Sequence, residues 1–86
     1  MAKIIENKKG FKVIEVSMVE CFEWGGIGIC DNCNEAIVPK GYYVAVLNRV
    51  LCDECYDEWN ERAIYNHEDA RIEQRNFEYY KRMLNL

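Results

Sequence analysis

Apolar positions along this chain change their period at Cys52. Before that point they alternate or cluster as in strands. Ile4 and Ile5 precede Asn7-Lys8-Lys9-Gly10, a polar turn closing on glycine. Between Phe11 and Phe22, Ile14, Val16 and Met18 fall on one face at period two, and Phe11, Val13 and Val19 on the other. β-branched residues dominate this run and predict a strand. Gly25-Gly26 interrupts it, with Trp24 alongside as a core or lid aromatic. Further on, Pro39-Lys40-Gly41 is a turn signal and residues 42–47 have strong strand propensity. Asn48-Arg49 is short enough for a hairpin turn, although Arg fits poorly where Gly is preferred. Such a hairpin returns Val50 and Leu51 alongside Val46 and Leu47.

After Cys52 the period becomes helical. Neither Gly nor Pro occurs from Val44 onward, and charges become dense. Asp53 can cap a helix and leaves Glu54, Asp57 and Glu58 near its positive N-terminal end. Tyr56, Trp59 and Ala63 then share one side, with Ile64 beside them. A second helical pattern runs through Ile72, Phe77, Tyr80, Met83 and Leu84. Residues 66–69 either bend the chain between the two patterns or lie within one continuous helix. Over residues 70–86 helical spacing gives two adjoining stripes, Ile72, Tyr79, Met83 and Leu86 on one, Phe77, Tyr80 and Leu84 on the other. One stripe can cover the N-terminal strands. The second either folds onto the same core or is left for another chain, in a homodimer or a complex. Tyr79, Tyr80, Met83 and Leu84 are the candidate partner-binding residues.

The expected fold class is therefore α+β: N-terminal strands, a hairpin, then one or two C-terminal helices. At 86 residues the chain is expected to form one domain, with a β segment over 1–29, a metal-bearing core over 30–66 and a C-terminal helix over 67–86. Folding at this size buries only about 60–65% of the unfolded surface, so a staple is expected beside the core. The formal net charge is −4, with nine acidic and five basic side chains in residues 53–86. No apolar run has the length of a signal peptide or a membrane span, and a reducing cytoplasm is the expected location.

Cysteine spacing supplies that staple. Cys30-Asp-Asn-Cys33 and Cys52-Asp-Glu-Cys55 are two Cys-x2-Cys pairs, spaced as in a four-thiolate zinc site. One Zn2+ per chain, held by Cys30, Cys33, Cys52 and Cys55, is the expected cofactor. Cys21 is the odd cysteine. It reads as a small buried hydrophobe, with an alternative ligand or a redox thiol as sharper possibilities. Glu20 and Glu23 flank it and disfavour a thiolate. The lone histidine, His67, reads as a surface or capping residue. A closed four-cysteine site leaves no coordination position for catalysis, and no acid–base pair, activated nucleophile or phosphate loop is recognisable. No enzymatic activity is expected.

A knuckle-like Cys-x2-Cys, a β-hairpin and a Cys-x2-Cys at a helix start resemble the treble-clef zinc finger. At the two ligand pairs, Cys30-Asp-Asn-Cys33 and Val50-Leu-Cys52-Asp-Glu-Cys55-Tyr56 are similar to GATA-type fingers, with LIM-type modules comparable. Cys30-Asp-Asn-Cys33-Asn-Glu-Ala-Ile37 also resembles the opening of a DksA/TraR-type finger. The departures are specific. Only Lys40 and Arg49 are basic between the pairs, where the GATA family carries a basic, tryptophan-containing stretch. Strands stand where DksA/TraR proteins place a coiled coil, and no histidine precedes the helix as nucleases of the HNH type require. Rubredoxin-like iron sites have glycine-marked knuckles that are missing here. The closed four-cysteine site and the acidic, aromatic-bearing C-terminal region point to a structural zinc module acting through protein–protein contact or regulation. The alternative is a nucleic-acid-binding finger, for which Arg71, Arg75 and Arg82 offer a basic stripe on the last helix.

Overall fold

Val13, Ile14 and Val16 are all buried, so the strand that carries them is covered on both faces. This strand, β2 (Val13–Val16), lies inside a four-stranded antiparallel sheet ordered β1-β2-β3-β4, with β1 at Lys3–Ile5, β3 at Gly41–Val44 and β4 at Arg49–Cys52. The computed structural model describes residues 2–23, 28–37 and 40–86, except the side chains of Met18, Phe22 and Glu23. The expected roles of Trp24, Gly25-Gly26 and Pro39, and the facing of Met18, lie outside the described residues.

Register assigns the faces. Glu15, Tyr42 and Leu51 stand opposite one another, as do Ile14, Tyr43 and Val50, and cross-strand partners share a face. Neighbouring tyrosines therefore serve different helices. Tyr42 stacks on Tyr56 of α2 (Asp53–Arg62), centroids 4.4 Å apart. Tyr43 lies against Tyr80 of α3 (Ala70–Met83) at 4.1 Å. Phe11, on the α2 side, packs on Trp59 at 4.7 Å and on Tyr65 at 5.4 Å. Lys12, one residue on, sits over Phe77 on the α3 side. Full burial of each such aromatic stabilises the fold by about 1.5–3 kcal/mol.

The strand expected through Phe22 ends at Val16, and Met18–Glu23 forms a short helix, α1. Ser17 and Glu20 exchange hydrogen bonds: the Ser17 amide donates to Glu20 Oε1 at 2.8 Å and the Glu20 amide to Ser17 Oγ at 3.3 Å. This reciprocal capping box satisfies two otherwise orphaned amides and turns the chain into a helix in which Val19 is the lone β-branched residue. Glu20 also accepts from the Ala2 amide, which fastens the N-terminus.

Hairpin register differs from expectation too. Val50 pairs with Tyr43 and Leu51 with Tyr42, rather than with Val46 and Leu47. The connection is the four residues Ala45 to Asn48, with Asn48 left-handed at φ 55 and its Oδ1 accepting from the Tyr43 hydroxyl at 2.8 Å. Asn tolerates that conformation, so Arg49 is free to begin β4.

Two separate helices follow Cys52. Ala63 to Asn66 connect them in extended form to a 3-10 turn at His67–Asp69, from which α3 continues. Tyr56 and Trp59 are buried, whereas Ile64 is 82% exposed beyond the helix end. Asp53 is the first helical residue and Cys52 the cap, one position earlier than expected. Two side chains anchor α3 to backbone: Glu73 Oε2, in a residue only 1% exposed, accepts from the Lys12 amide, and Asn76 Nδ2 donates to the Ala45 carbonyl, each at 2.9 Å. Among the described residues, no helix is long and apolar enough to cross a membrane.

Candidate metal centre

Local structure brings both cysteine pairs to one point. Residues 28–37 fold into a small ribbon, with Ile29 bridged to Ala36 and the Ile37 amide donating to Gly28 O at 3.1 Å. Inside it, the Cys30 amide donates to Glu35 O at 2.8 Å and the Asn34 amide to Cys30 O at 3.0 Å. Asn34 is left-handed at φ 64 and takes the conformation that a knuckle glycine otherwise supplies. Cys30 and Cys33 therefore flank a tight turn. Cys52 ends β4 and caps α2, and Cys55 falls in the helix's first turn.

Asp31 docks the turn onto the sheet. Its amide donates to Val50 O and its Oδ2 accepts from the Val50 amide, both at 2.9 Å. β4 is the last strand of the sheet, and this pair satisfies its outer backbone two residues before Cys52. Ile37, fully buried, holds the other end of the ribbon against Gly41. A Cβ at Gly41 would stand 3.0 Å from the Ile37 Cβ, so glycine is needed there for close approach. The Asp31–Val50 pair bridges 19 residues of chain. Asp31 sits inside the motif itself, yet only the fold reveals what its carboxylate does.

The four Sγ atoms of Cys30, Cys33, Cys52 and Cys55 all lie within 4.8 Å of one another. Cys33 and Cys52 are 3.8 Å apart, which matches the edge of a tetrahedron with metal–sulfur bonds of about 2.3 Å. Cys30 and Cys55 are buried, Cys33 exposed and Cys52 half-buried. Asn32 donates its backbone amide to Cys30 Sγ at 3.4 Å and its Nδ2 to Cys55 Sγ at 3.3 Å. Such N–H···S bonds orient ligating sulfurs and delocalise their charge.

The thiols titrate unequally. Burial pushes Cys30 up, but the amides of Cys33, Cys52 and Asn32 around its sulfur prevail and bring it down to about 7. For Cys55 the Asn32 amide pulls down, while burial and the three neighbouring thiols push harder, to about 12. Cys33 is also raised: the Glu35 amide lowers it, and desolvation with Cys30 and Cys52 outweighs that. Four sulfurs this close resist becoming four anions unless a cation stands among them. The cluster can hold one metal ion, and its all-thiolate chemistry suits zinc.

Cys21 is buried in α1 and outside this cluster. Burial first, then the charges of Asp31 and Glu20, push its thiol up to about 11. His67 is exposed and meets Tyr65 edge-on at 5.7 Å. The candidate partner residues divide. Tyr79 and Met83 are 51% and 38% exposed, while Tyr80 and Leu84 pack against the core. Ile72, 47% exposed, continues the exposed stripe, whereas Leu86, expected on it, lies beyond the helix, which ends at Met83 and is followed by Asn85 left-handed at φ 59. No family model, curated protein or solved structure matches this chain.

Proposed function

We propose that the chain is a structural zinc module of treble-clef type that works by binding another protein. The observation that carries this is the cysteine arrangement: one pair on a tight turn, the other spanning a strand end and a first helical turn, with every sulfur within 4.8 Å of the rest. Four thiolates close the coordination sphere, so the ion staples the fold and catalyses nothing. The binding surface is the outward stripe of α3. Ile72, Tyr79 and Met83 lie there in the open, and helical spacing places Arg71, Arg75 and Arg82 along one side of them. An apolar stripe edged with guanidiniums suits a partner helix whose apolar face is edged with carboxylates.

The test is capture from the native host, then reconstitution of each captured protein with the purified, zinc-loaded chain. Tyr79→Glu and Arg75→Glu are expected to leave the melting curve unchanged and abolish binding. A captured partner that binds both variants as well as the wild type would sink this assignment, as would a monomeric chain that captures nothing. The exposed Arg71, Arg75 and Arg82 also support a second function, contact with nucleic-acid phosphates. Retention on duplex DNA that weakens steeply with salt and disappears in Arg75→Glu would favour it; no retention at low salt would remove it.

A further inference from the structure

A pocket of about 210 Å3 opens beside the metal centre, between the β3–β4 turn and α2. Its floor is apolar, formed by Leu51 and Trp59, with the half-exposed Leu47 also lining it. Arg49 enters from the start of β4 and Arg62 from the end of α2. Glu58, Asn32 and the cluster residue Cys55 complete the lining, and Asn32 Nδ2 reaches Cys55 Sγ. Among the described residues the ion pairs are those of Glu15 with Lys3 and Lys40, so neither guanidinium is engaged by a carboxylate.

Two guanidiniums on an apolar floor match an anion joined to an apolar group, because the planar fork of Arg pairs with both oxygens of a carboxylate. Glu58 stands four residues before Arg62, the helical spacing at which its charge offsets part of that guanidinium. Arg49, on the strand, is the less compensated of the two. Size narrows the class. Sites for cofactors and drug-sized molecules occupy about 300–1,000 Å3, so this pocket admits one short chain or one ring.

We infer that the pocket binds a monocarboxylate carrying a short apolar chain or a single aromatic ring. Arg49 and Arg62 hold the carboxylate, and Leu47, Leu51 and Trp59 enclose the apolar group. A free carboxylic acid and the C-terminal residue of a polypeptide both present this chemistry. The site is separate from the α3 stripe and does not depend on it.

The test is titration of the zinc-loaded, 15N-labelled chain with sodium phenylacetate, with a short peptide ending in Ser-Leu and a free carboxylate, and with the amide form of each. Saturable shifts at the Trp59 indole and at Arg49 and Arg62 are expected for the acids only, weakened roughly tenfold or more in Arg49→Gln and Arg62→Gln. Both side chains are exposed, so these variants keep the fold. Tighter binding of the peptide acid assigns the site to chain termini; tighter binding of phenylacetate assigns it to free acids. Absence of saturable shifts up to about 20 mM, equal binding of the amides, or binding indifferent to both substitutions would overturn the inference. If instead the variants change only metal retention, the two arginines merely offset the thiolate charge and there is no ligand site.

Discussion

Asp31 and Val50 form a two-way hydrogen-bonded pair, amide to carbonyl and carboxylate to amide, both at 2.9 Å. A residue between two ligands thus serves as one rung of strand along the outer edge of β4. Asp31→Ala removes the acceptor and leaves the Val50 amide unpaired, at an expected cost of about 1–2 kcal/mol. Asp31→Asn keeps an oxygen in place and is expected to lose less. Urea unfolding of the metal-loaded variants checks this; an Ala variant as stable as the wild type would refute the role.

Metal removal is expected to loosen the hairpin and α2 together. Structural zinc contributes about 10–16 kcal/mol of apparent binding energy coupled to folding. Chelation or Cys52→Ser is expected to reduce helical circular dichroism and to broaden the melt, and one zinc per chain is expected by elemental analysis. Cys21→Ser leaves the metal content unchanged, because its sulfur is outside the cluster. An unaltered melt after complete metal removal would contradict this.

Gly41→Ala places a methyl group 3.0 Å from the branched Cβ of Ile37. The neighbour is not a flexible tip, so overpacking of about 1–3 kcal/mol is expected. Gly41 also pairs with Cys52, so the variant is expected to release metal to a chelator at lower concentration than the wild type does. Thermal melting and metal competition measure the two effects. Neither would change if Ile37 can shift aside.

Glu15 bridges Lys40 at 2.7 Å and Lys3 at 3.4 Å. The Lys40 hydrogen bond, working against desolvation and helped by the charge of Lys3, holds its carboxyl below the ordinary 4.5. A depressed native value means the unfolded chain protonates first as pH falls. The stabilisation is therefore complete above about pH 4.5 and is lost as pH falls through the native value. Because both lysines are open to solvent, the contribution of these pairs is small. Glu15→Gln is expected to melt below the wild type at pH 7 and to converge with it near pH 3. A gap that persists in acid would assign the loss to packing instead.

Some of this was legible in the sequence because chemistry constrains spacing. Metal–thiolate bonds are short, so the cysteine pairs announce themselves. The stripes of α3 were visible because a helix repeats every 3.6 residues, and the structure buries Phe77, half-buries Tyr80 and Leu84 and leaves Ile72, Tyr79 and Met83 in the open; the helix ends at Met83, so Leu86 falls outside the stripe. α1 was hidden because the β-branched strand just before it and its own Val19 read as one run, although Ser17-Met-Val-Glu20 carried the capping-box signature. Hairpin register hinged on which residue would turn left-handed, and Asn48 did so in place of the Asn48-Arg49 turn. Asp31 and Glu73 act across long stretches of chain, where local pattern holds no information.

The uneven burial of the four sulfurs gives the centre a front and a back. Cys33 is exposed and Cys52 half-buried, while Cys30 and Cys55 are covered. With an ion bound, an incoming chelator or oxidant would meet Cys33 and Cys52 first, while Cys30 and Cys55 would be the residues still holding it. Loss of a bound ion would then be expected to pass through Cys33 and Cys52 first, with a rate that rises with the concentration of the attacker. The same asymmetry would let the ion be handed on without the chain first unfolding, and a release rate independent of chelator concentration would show that it is not.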